Sequence, residues 1–258
     1  MKGLKMRVGE VKKVAGGNSM KPKYKRILLK LSGEGLMGKQ IDKSVDIKVV
    51  NDLAAQVKKI HSMGVDVAIV VGGGNIFRGV RDGVKGMDEN VAHQLGMIAT
   101  VMNGMFLQEA FKNVGLDVRV MSGLDIPKVC ENYIFGKAIS YLKKRRVLVF
   151  VGGTGAPFFT TDTGAALRSC EMHVDAMFKA TQVDGVYDRD PKKSDKAKKY
   201  SAISYQEVIN KQLKVMDTAA VTLARDNKIP VIVFNQHGKD AIVKAVCGQG
   251  EFTLISDL

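Results

Sequence analysis

The chain has 258 residues, of which 45% are hydrophobic, so it can bury a full core as one α/β domain or two closely joined lobes. It has no run of roughly 18–20 apolar residues, as a membrane helix needs, and its three scattered cysteines suggest no disulfide framework, so we expect a soluble, cytoplasmic protein. Its net charge is +14, but residues 1–30 hold ten Lys/Arg against one acidic residue, which argues against a basic face spread over the whole domain.

The N-terminal segment, residues 1–20, has glycines, lysines and no sustained hydrophobic periodicity. This pattern predicts a mobile basic arm ahead of a single folded domain at residues 21–258. The segment lacks the apolar central run of a secretory signal. Met20 is an alternative start, with the first nineteen residues as an extension.

The first half of the domain alternates apolar strands with helical patterns. Predicted strands cover residues 26–31, 65–71, 117–121 and 147–151, and predicted helices cover 44–63, 89–114, 134–146 and a segment from near Asp162. The helix at 89–114 is rich in Met and Ala, a composition that we interpret as core packing against the sheet. The alternation predicts an α/β fold, a three-layer αβα sandwich around a central, mostly parallel sheet.

The second half reads as a distinct lobe that begins near residue 174. A predicted strand at 175–181 leads into a turn and then into a charged loop at 188–200, which contains Pro191 and which we interpret as solvated surface. Helices at about 203–213 and 217–228, a strand at 231–234, and a final helix and strand follow.

Glycine-rich turns follow three of the predicted strands. They are Ser32-Gly33-Glu34-Gly35, Gly72-Gly73-Gly74-Asn75 and Gly152-Gly153-Thr154-Gly155. Because ligands bind beyond the carboxyl ends of parallel strands, these turns predict one shared cleft. Turn N–H groups, together with Lys30 and Arg78, suit phosphate. The alternative is that such turns serve backbone geometry alone.

Two nucleotide-binding motifs are matched only in part. Gly33 and Gly38-Lys39 have P-loop spacing, but Gln40 stands where that motif needs Ser or Thr for magnesium. The turn at Gly72 fails the dinucleotide pattern G-x-G-x-x-G at Phe77. The four histidines are scattered, so no zinc site is predicted from spacing.

Five motifs resemble those of the bacterial uridylate kinases of the amino-acid-kinase superfamily. They are Lys30-Leu31-Ser32-Gly33-Glu34, Gly72-Gly73-Gly74-Asn75-Ile76-Phe77-Arg78-Gly79, the turn from Thr154 to Asp162, Lys179-Ala180-Thr181-x-Val183-Asp184-Gly185-Val186, and Leu213-Lys214-Val215-Met216-Asp217. The match runs in register from about Lys23 to the C-terminus. The Pro-Phe-Phe-Thr-Thr-Asp and Lys-Val-Met-Asp runs are its most specific parts.

The resemblance implies the amino-acid-kinase fold, with an acceptor-binding lobe at about 21–173 and an ATP-binding lobe at about 174–258. It implies transfer of the ATP γ-phosphoryl group to UMP, giving UDP and ADP, in cytoplasmic pyrimidine nucleotide biosynthesis. It also implies magnesium bound as Mg-ATP without a protein metal ligand, and a homohexamer.

The resemblance also implies roles for individual residues. Catalytic roles would fall on Lys30, Arg78 and Asp162, with Asp162 holding Lys30 in place. ATP contacts would be Lys30, Leu31, Ser32, Gly33, Gly74, Arg78, Lys179, Thr181, Tyr187 and Asp190. UMP contacts would be Gly73, His93, Thr154, Gly155, Ala156, Pro157, Phe158, Phe159, Thr160 and Thr161. Such a reaction needs alignment and charge neutralisation more than a catalytic base, because a UMP phosphate is already deprotonated at neutral pH.

Three departures from the family pattern qualify these expectations. His93 stands where the family usually has an aspartate that contacts UMP, and Ala156 replaces an asparagine. The segment after Gly38 is shorter than in relatives whose GTP activation involves it. A neutral imidazole cannot accept hydrogen bonds as a carboxylate does, so we hypothesise weaker UMP binding than is usual in the family.

Two other functions stay open from sequence alone. One is an amino-acid or carbamate kinase of the same fold, which the residues from Pro157 to Thr161 disfavour. The other is nucleic-acid binding through the basic arm and the cluster Lys143-Lys144-Arg145-Arg146, with steep salt dependence. This cluster also has a simpler interpretation, because cations suit a helix C-terminus.

Overall fold

The computed structural model describes residues 20–38, 44–78 and 86–257. The predicted basic arm before Met20 lies outside these ranges, as does Lys39 of the P-loop-like spacing. Within the described ranges, none of the helices combines the length and apolar content that spanning a membrane requires.

The strands follow the predicted positions closely in the first half of the chain. They are β1 (Arg26–Leu31), β2 (Asp66–Val71), β3 (Val118–Ser122), β4 (Glu131–Asn132), β5 (Val147–Val151), β6 (Ala176–Thr181), β7 (Val186–Tyr187), β8 (Lys199–Tyr200), β9 (Ala202–Ile203), β10 (Val231–Asn235) and β11 (Phe252–Ile255). The two-residue strands β4, β7, β8 and β9 were not predicted, because so short a segment carries no readable alternation. Of these, β7 falls in the predicted turn before residue 188, and β8 falls at the end of the predicted loop at 188–200.

The helices alternate with these strands. They are α1 (Ile47–Ser62), α2 (Glu89–Asn113), α3 (Phe135–Lys143), α4 (Thr161–Glu171), α5 (Tyr205–Asn210), α6 (Thr218–Asp226) and α7 (Ala241–Val246), with a short 3-10 helix at Gly33–Leu36. This 3-10 turn lies between Gly33 and Gly38 of the P-loop-like spacing, and Lys39 and Gln40, where a P-loop would open its α-helix, lie outside the described residues.

Among the described residues, nine strands form the central sheet in the order β4-β3-β5-β2-β1-β6-β10-β11-β9. The pairing of β10 with β11 is antiparallel, and the other neighbouring pairs described in this sheet are parallel. Strands β7 and β8 form a separate antiparallel ribbon. The predicted, mostly parallel sheet is confirmed.

Helices cover both faces of the sheet, so the predicted three-layer αβα sandwich is also confirmed. One apolar core joins α1, α2 and α7 to one face of the sheet, with Phe111 and Phe178 among its buried residues. The other core joins α3, α4, α5 and α6 to the opposite face, with Phe150 and Tyr205 among its members. This burial is the principal stabilising contribution to the fold.

The basic cluster after α3 serves the fold. Arg145 takes a left-handed conformation with φ of 60°, and its guanidinium donates to Asp66 Oδ1 at 2.6 Å and to the carbonyl oxygen of His61 at 2.6 Å. Arg146 donates to Asp117 Oδ2 at 2.7 Å. Two of the four cations are therefore occupied by contacts within the chain, which weakens the nucleic-acid interpretation of this cluster.

Helix α2 departs from the interpretation that its Met-rich face packs on the sheet. Met97 is buried, but Ile98, Met102, Met105 and Phe106 are exposed. Positions 98, 102 and 105 recur at the spacing of one helical face, so the apolar residues of α2 divide between a core face and an outward stripe. We name Ile98, Met102, Met105 and Phe106 the α2 stripe.

Candidate active site

The three glycine turns meet at one edge of the sheet. Strands β5, β2 and β1 are parallel neighbours in that order, and β6 lies beside β1. Their carboxyl ends therefore share an edge, where each of the first three is followed by its glycine-rich turn. The prediction that the turns lie together is confirmed.

Two lysines and one aspartate form the charged centre of this edge. Lys30 on β1 and Lys179 on β6 occupy paired positions in the sheet, and each residue is only 8% exposed. Asp162, in the first turn of α4, lies between them. Its Oδ1 is 2.9 Å from Lys30 Nζ and its Oδ2 is 2.5 Å from Lys179 Nζ. The position of Lys179 here was not predicted, since we expected only an ATP contact.

The charge states in this cluster follow from burial and proximity. Burial by itself raises the pKa of Asp162, but the ammonium groups of Lys30 and Lys179 outweigh it and hold the pKa below its ordinary value. Burial and the charge of Lys30 lower the pKa of Lys179 from 10.5 to about 8, although Asp162 and Asp217 act in the opposite direction. The cluster therefore holds an excess of positive charge at neutral pH.

The turns after β1 and β2 pack too closely for larger side chains. A Cβ atom at Gly33 would lie 2.2 Å from Asn75 Oδ1, and one at Gly73 would lie 2.7 Å from the carbonyl oxygen of Gly96. The turn is also held by Asn103 of α2, which is fully buried and exchanges amide hydrogen bonds with Asn75. These contacts fix the backbone of the two turns.

The loop after β5 depends on unusual backbone conformations. Gly152, Gly153 and Gly155 all have positive φ, at 71°, 56° and 82°. Phe158 has φ of 70° although it is a bulky residue, and its side chain is exposed. The loop is anchored by Thr100 of α2, whose hydroxyl accepts from the N–H of Gly152 at 2.7 Å.

A cleft of about 340 Å³ lies between these turns and α2. Its walls are Glu34, Gly73, Gly74, Phe77, Arg78, Ala92, His93, Gly96, Met97, Thr100, Gly153, Phe159, Thr160 and Thr161. We name it the first cleft. Five residues expected to contact UMP line it, namely Gly73, His93, Phe159, Thr160 and Thr161. Among the described residues, Thr154, Gly155, Ala156, Pro157 and Phe158 are not part of its wall.

Arg78 reaches the mouth of the first cleft. Its Nε donates to the carbonyl oxygen of Gly74 at 2.6 Å, and its Nη2 lies 3.2 Å from Glu34 Oε1. These contacts orient the guanidinium beside the glycine turns. Arg78 and Thr161 line the same cleft, so Arg78 lies near the first turn of α4 that carries Asp162.

His93 lies on α2 and faces the first cleft. Its ring centroid is 4.9 Å from that of Phe158, and its Nε2 is 3.8 Å from Glu89 Oε1. The ring contact between His93 and Phe158 connects α2 to the tip of the loop after β5. Phe158 therefore reaches the cleft indirectly, through His93.

A second cleft, of about 620 Å³, lies beyond the other side of the lysine cluster. It is lined by Lys179, Thr181, Val183, Gly185, Val186, Tyr187, Asp188, Arg189, Asp190, Pro191, Lys193, Lys211, Gln212, Leu213, Lys214, Val215 and Val233. Four residues expected to contact ATP are among them, namely Lys179, Thr181, Tyr187 and Asp190. Gly74 and Arg78 line the first cleft instead.

The remaining expected ATP contacts lie on or just after β1. Lys30, Ser32 and Gly33 are outside the walls of both clefts as described, and Leu31 lines a different cavity beside α1. Ser32 caps the 3-10 turn, because its Oγ accepts from the N–H of Gly35 at 3.0 Å. The cluster of Lys30, Asp162 and Lys179 connects the two clefts, since Thr161 lines one and Lys179 lines the other.

Three contributors to the site were missed from sequence. Asn103 and Thr100 hold the glycine turns, and Asp217 accepts hydrogen bonds from Thr160 and Thr163 at the start of α4. A buried amide within an apolar helix is a readable signal for Asn103. Asp217 stood in a recognised motif, but its partners are 54 and 57 residues away in sequence, which spacing cannot reveal.

The site offers little to hold a metal directly. Among the described residues, no group of three or more His, Cys, Asp or Glu side chains is placed to bind one. Both oxygens of Asp162 face lysine ammonium groups. That carboxylate therefore does not fit the role of a metal ligand.

Comparisons with known proteins agree with this geometry. The amino acid kinase family model matches residues 25–235. The uridylate kinase of Paramagnetospirillum magneticum is 48% identical over 235 residues, which cover 91% of this chain and 98% of the relative. The uridylate kinase of Colwellia psychrerythraea is 50% identical over 236 residues, which cover 92% and 95%.

Solved structures show the same similarity. UMP kinase from Ureaplasma parvum superposes with a TM-score of 0.87 at 36% identity, covering 91% of this chain and 100% of that one. UMP kinase from Bacillus anthracis also superposes with a TM-score of 0.87, at 38% identity, covering 91% and 96%.

Proposed function

Because this chain belongs to the amino acid kinase family, we propose that it transfers the γ-phosphoryl group of ATP to UMP, giving UDP and ADP. The relatives named uridylate kinase, which are 48% and 50% identical over nearly the whole chain, support this acceptor. The single structural observation that supports the proposal best is the position of Lys30, Asp162 and Lys179 between two clefts.

The two clefts divide the substrates in this proposal. The first cleft takes UMP against the loop after β5, and the second takes the base and ribose of ATP beside Tyr187 and Asp190. The two phosphate chains then meet at the carboxyl ends of β1 and β2. There the N–H groups of the turns at Gly33 and Gly73 face them.

In this proposal the lysine cluster places positive charge where negative charge develops during phosphoryl transfer. In phosphoryl transfer, negative charge spreads over the moving group, so fixed cations stabilise the transition state more than they stabilise separated substrates. Lys30 and Lys179 stand on neighbouring strands, and Asp162 holds both ammonium groups. Arg78 adds a planar cation on the acceptor side.

No proton transfer from the protein is needed. The UMP phosphate is already ionised at neutral pH, so the residues of the cleft need only align it with the γ-phosphorus and exclude competing water. Asp162 is fixed by two lysines and acts as a positioning residue rather than as a base.

Magnesium enters this proposal with the nucleotide. When bound with ATP, the ion would neutralise part of the negative charge of the phosphate groups. The carboxylate of Asp162 does not fit as its direct ligand, because both of its oxygens are engaged by lysines. In this proposal the ion is held by the nucleotide, and Asp162 serves the two lysines instead.

The decisive experiment is a coupled assay of ADP release with UMP, CMP, dUMP, glutamate and carbamate as acceptors. We expect UMP to give the highest kcat/KM, with Lys30→Ala and a reaction without acceptor as controls. A preference for glutamate or carbamate would replace this proposal with an amino-acid or carbamate kinase of the same fold.

The setting of the enzyme is also part of the proposal. We place it in the cytoplasm, in pyrimidine nucleotide biosynthesis, with the acceptor-binding lobe at about 21–173 and the ATP-binding lobe at about 174–258. The exposed α2 stripe supports assembly with further copies of the chain, and we propose a hexamer. Analytical ultracentrifugation of the native chain and of a Met102→Glu/Met105→Glu variant tests this, since the variant should dissociate.

A further inference from the structure

We propose that Asp217 is a positioning residue for phosphoryl transfer, which holds the first turn of α4 and thereby the lysine–aspartate cluster and the threonine wall of the first cleft. This inference rests on the proposed function. It assigns a role to the end of the motif Leu213-Lys214-Val215-Met216-Asp217, which the mechanism above does not use.

The local role of Asp217 is to cap the start of α6. It is the N-cap of that helix, and its Oδ1 accepts from the N–H of Ala220 at 2.9 Å. An N-cap carboxylate satisfies one backbone donor and interacts favourably with the helix dipole. A cap of this kind needs no partner elsewhere in the chain.

Asp217 nevertheless has two further partners, both at the start of α4. Its Oδ1 accepts from Thr163 Oγ1 at 2.8 Å, and its Oδ2 accepts from Thr160 Oγ1. One carboxylate therefore joins the N-termini of two helices that come from distant parts of the sequence.

The two threonines flank Asp162. Thr160 is the N-cap of α4, where its Oγ1 accepts from the N–H of Asp162 at 3.0 Å and from the N–H of Thr163 at 3.3 Å. Because Thr160 donates its hydroxyl proton to Asp217, its oxygen lone pairs are directed at these two N–H groups. Asp217 thus fixes the cap that sets the direction of the Asp162 side chain.

The carboxylate of Asp217 also acts through its charge. Its negative charge raises the pKa of Lys179, whose other charged neighbours are Lys30 and Asp162. When the Asp217 charge is removed, burial and Lys30 still lower the pKa of Lys179, and of these groups Asp162 alone raises it. The ammonium form of Lys179 is then lost at a lower pH.

The test compares three variants with the native chain. Asp217→Asn removes the charge in an isosteric side chain, and Thr163→Val removes one of the two interhelical hydrogen bonds while leaving the charge. Ser204→Ala is the matched control, because Ser204 caps α5 through the N–H of Glu207 at 3.1 Å and lies outside both clefts as described.

We expect Asp217→Asn to lower kcat with ATP and UMP by about 10-fold or more, the typical effect of losing charge-assisted hydrogen bonds. Thr163→Val should have a smaller effect of about 3-fold, and the two changes together should be less than additive. Ser204→Ala should stay within about 2-fold of the native rate, although it removes a cap of similar strength.

A pH profile separates positioning from simple loss of stability. In Asp217→Asn, the alkaline fall of kcat/KM for ATP should move to lower pH, whereas Ser204→Ala and Thr163→Val should leave it in place. If Asp217→Asn matches Ser204→Ala in both rate and pH profile, the inference is overturned.

The outcome for the proposed function is separate. If the native chain does not phosphorylate UMP, that proposal fails, and Asp217 is then judged from unfolding by urea between pH 7 and 10. The pKa of Lys179 is lower in the folded chain than in the unfolded chain. The free energy of unfolding therefore rises with pH above about 8 as folded Lys179 loses its proton. Asp217→Asn should move this rise to lower pH, and an unmoved rise contradicts the inference.

Discussion

The two sides of the candidate active site are built by different means. On one side, Lys30 and Lys179 stand on adjacent strands, where the register of the sheet fixes their separation. On the other side, the loop after β5 depends on three glycines and Phe158 in left-handed conformations, and on contacts with α2. The first side is rigid because its backbone is paired on both edges, whereas the second depends on loop conformations that single substitutions change readily.

This contrast separates two kinds of effect. Changes to the strand-borne charges should alter the rate of phosphoryl transfer, because in the proposed reaction those charges act on the moving phosphoryl group. Changes to the loop and to α2 should alter acceptor affinity or the stability of the cleft wall. Single substitutions on each side should therefore separate effects on rate from effects on affinity and stability.

The largest effect is expected for Lys30→Ala. In the proposed reaction it removes a fixed cation from the phosphoryl path, and the loss of one such group typically costs about 100- to 1,000-fold in kcat. Steady-state kinetics with ATP and UMP measure it. Lys239→Ala, which removes an exposed lysine outside both clefts as described, should leave kcat unchanged. Equal losses in the two variants would contradict a catalytic role for Lys30.

The second prediction concerns the pH dependence of the free enzyme. Burial and the charge of Lys30 lower the pKa of Lys179 to about 8, so its positive charge is present below that pH and is lost above it. We expect kcat/KM for ATP to fall above about pH 8. Lys179→Arg should remove this fall, because a guanidinium stays charged, even if its maximal rate is lower.

The control for this pH profile is Lys214→Arg, which makes the same replacement on the wall of the second cleft. It should keep the alkaline fall of the native chain. If kcat/KM for ATP in the native chain stays constant up to pH 9.5, the charge of Lys179 does not govern kcat/KM for ATP.

The third prediction tests the close packing of the turn after β2. A Cβ atom at Gly73 would lie 2.7 Å from the carbonyl oxygen of Gly96 and 2.8 Å from Ala99 Cβ, whereas one at Gly74 would meet nothing within 4 Å. We expect Gly73→Ala to lower the free energy of unfolding by about 1–3 kcal/mol, the usual cost of overpacking. Gly74→Ala should change the free energy of unfolding little. Urea unfolding of both variants measures the difference, and equal values would contradict the close packing at Gly73.

Sequence predicted the fold and the strand-borne half of the site better than the rest. Arg26–Leu31 and Val147–Val151 were predicted to the residue, because buried parallel strands read as mostly apolar runs, and here each run leads into a glycine-rich turn. Once the strands are parallel neighbours, their turns must share an edge. The meeting of Lys30 and Asp162 was expected only from the family resemblance.

The parts that sequence did not give depend on contacts between distant segments. The attachment of Lys179 to Asp162 follows from the pairing of β6 with β1, which the order of elements along the chain does not specify. The contact between His93 and Phe158 depends on a left-handed backbone at Phe158, where local sterics predict the opposite. The outward stripe of α2 was hidden because apolar residues recur on more than one face of that helix.

The smallest effect is expected for His93→Asp. His93 faces the first cleft from α2, and its ring packs against Phe158 at the tip of the loop after β5. A carboxylate there accepts two or more hydrogen bonds from sugar hydroxyls, whereas a neutral imidazole offers one acceptor. We expect the KM for UMP to fall by about 3- to 10-fold, equivalent to one hydrogen bond, with kcat nearly unchanged. His237→Asp, the same replacement on an exposed loop outside both clefts as described, should leave KM unchanged, and an unchanged KM in His93→Asp would remove His93 from the acceptor site.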